Sequence, residues 1–175
     1  MEYASNASKL HISFGELLEA IGFGNYNVQQ EVQVQSICPS HDSPKDAYDY
    51  FLPELSLIVE LHGQQHYKPA TFGGISKREA TRNYGRRVMR DNAKAESAFR
   101  HNFLYIAFAY NEPMTQEVFY EKLQDARVHL EEFQLTFSSE ETKSTLSEFD
   151  KQVKKQQEKT REYWRKRRQE LKDQE

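Results

Sequence analysis

Hydrophobic and polar positions change their period several times along the chain, and each change marks a new element. Phe14, Leu17, Leu18 and Ile21 recur on one helical face, with Ser13-x-x-Glu16 in the form of a capping box and Gly22 and Gly24 as the stop. The period then becomes two: Val28, Gln30, Val32, Val34 and Ser36 alternate with polar partners and predict a strand with one buried face. Cys38-Pro39-Ser40-His41-Asp42-Ser43-Pro44 is a run of turn formers, hence a loop. Two short apolar runs follow, Tyr48-Asp49-Tyr50-Phe51-Leu52 and Leu57-Ile58-Val59-Glu60-Leu61-His62. The intervening Pro53-Glu54-Leu55-Ser56 holds a proline that cannot continue a ladder, so the pair predicts an antiparallel hairpin. If that linker is the loop, Leu52 faces Leu57, Phe51 faces Ile58, Tyr50 faces Val59 and Asp49 faces Glu60.

After Gly63-Gln64-Gln65-His66-Tyr67, residues 68–74 form a loop with Pro69 and two glycines. A helix is expected from Ser76 or Glu79 to near Asn102, with Tyr84, Val88, Ala95 and Phe99 on its buried side. Residues 103–110 are nearly all apolar and predict a strand covered on both faces, stopped by Asn111-Glu112-Pro113. Phe119, Leu123, Ala126, Leu130, Phe133 and Phe137 keep the four-then-three spacing of a heptad seam, which Ser138 and Ser139 interrupt. A second seam opens at Leu146, Phe149 and Val153 and fades into a charged helix that projects from the domain or orders against a partner. The order predicts an α/β fold, a mixed sheet flanked by helices with a C-terminal helical extension. Residues 1–113 would be the core domain, 114–137 a helix packing on or beside it, and 138–175 a charged, basic helix.

Composition changes this picture in two places. The 175 residues suffice for one domain and an appendage, and a mean hydropathy of −0.90 fits a chain with much solvent-facing helix. No apolar run approaches the ~20 residues of a membrane span, the first nine residues lack a secretion signal, and the lone Cys38 fits a reducing compartment, so a cytoplasmic protein is expected. Net charge is −3, yet residues 76–100 hold eight basic against three acidic side chains and residues 151–168 hold nine against two. Local basic surfaces on a mildly acidic chain suit a phosphate backbone.

The candidate chemistry lies in the hairpin. Carboxylates of Asp49 and Glu60 opposed across it would stand about 5 Å apart, and like charges so placed call for a cation between them. A divalent ion on Asp49 and Glu60 would polarise a phosphate and activate water; His62 and His66 are the available bases, and Gln64 would orient water or a phosphate oxygen. The competing reading makes Asp49 and Glu60 edge charges, Glu16 a helix cap and the arginine row a solvated face.

Asp49, Pro53, Glu60, Gly63, Gln65-His66-Tyr67, Phe72-Gly73-Gly74, Arg90-Asp91-x-x-Lys94 and the 104–108 strand together resemble the small, often phage-borne nucleases of the PD-(D/E)XK, restriction-endonuclease-like superfamily. The resemblance covers residues 8–110, is nearest to the very-short-patch-repair and homing endonucleases, and is most specific at Gly-x-Gln-His-Tyr. It implies a restriction-endonuclease-like core, Mg²⁺ (or Mn²⁺) on Asp49 and Glu60, and DNA along the basic helix at Arg82, Arg86, Arg87, Arg90 and Lys94, with Lys68 in the adjoining loop. Glu16, Glu19 and Tyr67 are auxiliary candidates. The sequence departs from the pattern at Glu60-Leu61-His62-Gly63: relatives commonly carry aspartate where His62 stands, and the superfamily's lysine two residues after the second acid is missing. Histidine followed by glycine here is similar to the very-short-patch-repair type, so the resemblance implies that His62 replaces the lysine as base or the aspartate as ligand, or else marks a site that no longer cuts. The expected function is a Mg²⁺-dependent DNA endonuclease, phage-encoded in a host cytoplasm by the resemblance. Its alternatives are a catalytically impaired nuclease-fold module that binds nucleic acid, and an interaction protein acting through its C-terminal helices, as a homodimer or on a protein partner.

Overall fold

The first helix begins a turn earlier than the capping-box pattern predicts. In the computed structural model, which describes residues 8–137 and beyond them residues 147, 148, 150–155, 158, 159, 162, 165 and 169, α1 spans Lys9–Ala20. Ser8 is its N-cap, with the hydroxyl accepting from the His11 N–H, so Ser13 lies inside the helix and forms no box with Glu16. Leu10 packs against the core and extends the apolar stripe backward. Gly22, at a φ of +80°, ends the helix as the sequence predicts.

The predicted strand after it is shorter. β1 is Gln29–Gln33, and the chain then coils into a four-residue helix, α2, Val34–Ile37. The remaining elements are β2 (Ala47–Leu52), β3 (Leu57–His62), α3 (Lys77–Arg100), β4 (Leu104–Ala109) and α4 (Gln116–Phe137). A 3-10 turn at Pro53–Leu55 joins β2 to β3, and the ladder pairs Leu52 with Leu57, Phe51 with Ile58 and Tyr50 with Val59, the predicted register. The sheet order is β1-β2-β3-β4, antiparallel until β4, which returns parallel to β3 after α3. The architecture is the predicted α/β, a mixed sheet with helices on it.

Two clusters of buried side chains lie against this sheet. The larger joins Phe14, Leu17 and Leu18 of α1 to Val59, Ile106 and Phe108 of the sheet and to Phe119, Leu123, Ala126 and Leu130 of α4. The smaller joins Val34 and Cys38 to Tyr48, Phe51, Ile58 and Ala98. Side chains two apart on a regular strand share a face, yet Tyr48 belongs to the smaller cluster and Tyr50 to the larger; Val28 likewise packs on the larger and Val32 on the smaller. β1 and β2 therefore change faces at one rung, where Glu31 lies opposite Asp49, and Glu31 holds a φ of +51° there. That dislocation overturns the uninterrupted alternation read from the sequence.

On α3 the predicted inner residues Tyr84, Val88, Ala95 and Phe99 are half-buried, and Ala80, Lys94, Ser97 and Ala98 are buried. At the start of the C-terminal segment Val153 joins the larger cluster and Asp150 pairs with Arg127 at 3.1 Å. The interruption at Ser138 and Ser139 and the seam residues Leu146 and Phe149 lie outside the described residues.

Phe119 touches rings from three other segments, Phe14 and Phe108 at 6.4 Å and Phe23 at 5.7 Å. Phe119→Ala is predicted to cost about 3–5 kcal/mol in urea unfolding; a loss under about 1 kcal/mol would show that α4 is not integral to the core.

Candidate functional site

The hairpin ladder stops one rung short of the two acids. Asp49 turns its carboxylate to the neighbouring backbone, and its Oδ2 accepts from the Leu61 N–H at 2.6 Å. Glu60 is 3% exposed, and the Lys94 Nζ lies 2.6 Å from its Oε1, an ion pair rather than an aligned hydrogen bond. The positive charge that opposed carboxylates require is thus supplied to Glu60 by α3. Lys94, expected among the exposed basic residues of α3, is 7% exposed and lines the cleft beside Glu60. Burial pushes the Glu60 carboxyl up to about 7, with Lys94 opposing the rise and Asp49 adding to it.

His62 ends β3 half-buried, its ring stacked on His66 with centroids 4.4 Å apart and planes 7° apart. Burial, then the neighbouring His66, lowers His62 to about 4, so near neutral pH it is uncharged. Its Nε2 is buried and without a hydrogen-bond partner among the described residues. His66 Nδ1 lies 2.7 Å from Oδ2 of Asp91. A carboxylate only accepts, so Nδ1 carries the proton and Nε2 of a neutral His66 is the basic nitrogen. Burial alone would raise the Asp91 carboxyl, but the hydrogen bond from His66 and its charge hold it below the ordinary value.

In the Gly63-Gln64-Gln65 turn a Cβ on Gly63 would sit 2.8 Å from the Gln65 Oε1 folded over it, the far end of a side chain that can swing aside. Arg87 donates to the Gln65 carbonyl at 2.7 Å, so this expected DNA contact instead ties the turn to α3. Gln65 lines the cleft, whereas Gln64 is exposed to solvent outside it. Tyr67 is exposed, its hydroxyl 3.5 Å from His62 Nδ1 and its ring 6.1 Å from that of Tyr110. Lys68, Arg82, Arg86 and Arg90 are exposed, and Arg90 borders the cleft. Glu16 and Glu19 are exposed and do not line it; α1 contributes His11 in their place.

The cleft, of about 580 Å³, therefore gathers Asp49, Glu60, His66 and Lys94 with Asp91, Glu31 and His11. Two triplets in this region offer donor atoms within 4.8 Å of one another, His62 with His66 and Asp91, and His11 with Glu31 and Asp49. As candidates, His11, Glu31 and Asp91 were missed by sequence reasoning. Asp91 carried a usable signal, since it stands three residues before Lys94 and shares its helix face; His11 and Glu31 carried none. Loop residue His41 is held on both ring nitrogens, by Ser97 at 2.8 Å and Asp46 at 2.9 Å, and ties its loop to α3.

No family model, no curated protein and no solved structure matches the chain. Among the described residues no helix is long and apolar enough to cross a membrane.

Because the folded Glu60 carboxyl sits at about 7 against an ordinary 4.5, the fold favours its protonated form. Its contribution to stability is full below the ordinary value and is lost as pH rises through about 7. Lys94→Met is predicted to cost about 3 kcal/mol at about pH 8, where it strands a buried carboxylate, and far less at about pH 5, where Glu60 carries its own proton. Urea unfolding at both values measures this, and an equal loss at both contradicts it.

Proposed function

We propose that the chain is a metal-dependent nuclease that hydrolyses phosphodiester bonds in DNA. The observation that carries the reading is the convergence, in one cleft beside exposed arginines, of Asp49, the Glu60–Lys94 pair and the His66–Asp91 pair. A restriction-endonuclease-like ancestry is part of the proposal and rests on the sequence motifs.

The donor set fits a divalent cation. Asp49 commits one carboxylate oxygen to Leu61 and keeps the other, and Glu60 ionises near neutral pH. Mg²⁺ or Mn²⁺ held at Asp49 and Glu60 would supply Lewis acidity to the phosphate and lower the pKa of a bound water. His66, oriented by Asp91, accepts a proton from water at Nε2. Lys94 offers an ammonium to the charge that develops on the phosphate, the place of the lysine missing after Glu60. His62 stays neutral and packs the His66 ring. Lys68, Arg82, Arg86 and Arg90 hold the DNA backbone without reading bases. One observation favours a second reading, a binding module that no longer cuts: Glu60 is almost wholly buried and already neutralised.

Supercoiled plasmid incubated with Mg²⁺ or Mn²⁺ separates the two. The nuclease reading predicts nicked or linear product, lost about 100-fold or more in Asp49→Ala and Lys94→Ala. Salt-sensitive binding without product under either metal supports the binding module. Product formed by Asp49→Ala and Glu60→Ala as fast as by the parent refutes the assignment. Each of Arg82→Ala, Arg86→Ala and Arg90→Ala is predicted to reduce the salt slope of DNA affinity by about 1, read by fluorescence anisotropy.

A further inference from the structure

An uncompensated pair of opposed carboxylates does occur at Asp49, on the other side of β2. Between the paired rungs Gln30–Tyr50 and Val32–Tyr48, Glu31 lies opposite Asp49. Like charges opposed across a ladder are destabilising. Lys94 serves Glu60, and among the described residues no ion pair reaches Glu31 or Asp49. α1 brings a third donor, and the ligating atoms of His11, Glu31 and Asp49 lie within 4.8 Å of one another on the wall of the cleft. The His11 ring is held through Nδ1, 3.0 Å from the Tyr50 hydroxyl, which leaves Nε2 for a ligand. Such a second partner is how metal-binding imidazoles are usually oriented. Glu31 keeps a φ of +51°, a left-handed conformation that glutamate seldom adopts, at the rung where both strands change faces.

We propose that His11, Glu31 and Asp49 ligate one divalent cation, with Mn²⁺ favoured over Mg²⁺. Mg²⁺ favours all-oxygen shells with several waters, and one imidazole nitrogen beside two carboxylates moves the preference toward Mn²⁺ and its neighbours. The donor separations, at up to 4.8 Å, would close to roughly 3 Å around a bound ion. The other triplet is less suited, because the His62 and His66 rings are stacked nearly parallel and Asp91 already holds His66 Nδ1. This assignment rests on the proposed function and refines it, with His11 and Glu31 taking the place of the buried, Lys94-paired Glu60 beside Asp49; binding is tested apart from cleavage.

The test is Mn²⁺ binding to the full chain without DNA, followed by electron paramagnetic resonance with Mg²⁺ as competitor, and by the Mn²⁺-induced rise in Tm. The parent is expected to bind one Mn²⁺ that equimolar Mg²⁺ does not displace. His11→Gln and Glu31→Gln are expected to weaken binding about tenfold or more, the loss of a direct ligand costing at least as much as the loss of a second-shell partner. Glu31→Gly relieves the left-handed backbone, so the metal-free protein should melt no lower than the parent while its Mn²⁺-induced rise disappears. A merely structural Glu31 would instead lower the metal-free Tm and leave the rise. Binding unchanged in both glutamine variants, equal competition by Mg²⁺, or a loss confined to His62→Ala overturns the site. Mn²⁺ bound through His11 and Glu31 with no plasmid product keeps the site and refutes the nuclease; metal-dependent product with Mn²⁺ binding indifferent to both residues does the reverse.

Discussion

The buried ion pair between Glu60 and Lys94 sets the rotation of α3 against the sheet. Taking both charges out of water costs several kcal/mol, and the cost is offset only where the partners meet closely. With Lys94 turned inward, the residues at successive helical offsets of four, three and four share its face: Arg87, Asp91, Lys94 and Ala98. Each makes a contact that the site or the core uses, Arg87 with the Gln65 carbonyl, Asp91 with His66, Lys94 with Glu60, and Ala98 within the smaller cluster. Arg82, Arg86 and Arg90 are left exposed by the same rotation. One interaction thus sorts the basic residues of this helix into those that build the cleft and those that face outward.

The second constraint is the rung where Glu31 meets Asp49. A regular pair of strands would send Tyr48 and Tyr50 to one face, and the sheet would carry a single packed side there. The left-handed Glu31 breaks the pleat, so each tyrosine buries in a different cluster and Asp49 is released from the ladder toward the cleft. Strain of this kind costs of order 1–3 kcal/mol and persists where surrounding packing fixes it. Here Tyr48 and Tyr50, both fully buried, supply that packing.

Hairpin register, the bounds of α3 and the α/β class were legible because each rests on a local signal: a proline in a short linker, an N-capping Ser76 and apolar runs of strand length. The cleft was legible only in part. Asp49, Glu60 and His66 stand in a recognisable tract, but the inner face of α3 is polar, with Lys94 and Ser97 buried, and hydrophobic periodicity finds only apolar faces. It pointed instead to Tyr84 and Val88. The switch of face at Glu31 left no trace either, since alternation in the sequence is blind to a single φ of the opposite sign. The same alternation extends the strand reading through Ser36, whereas Val34 is buried from a helix. His11 seemed an ordinary helix residue because its neighbours in space, Glu31 and Asp49, are distant in the chain.

The central claim is that this cleft hydrolyses phosphodiesters with a cation on the scissile phosphate. The most direct measurement is single-turnover cleavage of a DNA duplex carrying phosphorothioates at the cut positions, compared with its all-oxygen form. Sulfur binds hard Mg²⁺ poorly and softer cations well. The account predicts slow cleavage of the sulfur-substituted strand in Mg²⁺, recovery in Mn²⁺, and none in chelator. Equal cleavage of both strands in chelator, or no cleavage of either under any divalent cation, would contradict it.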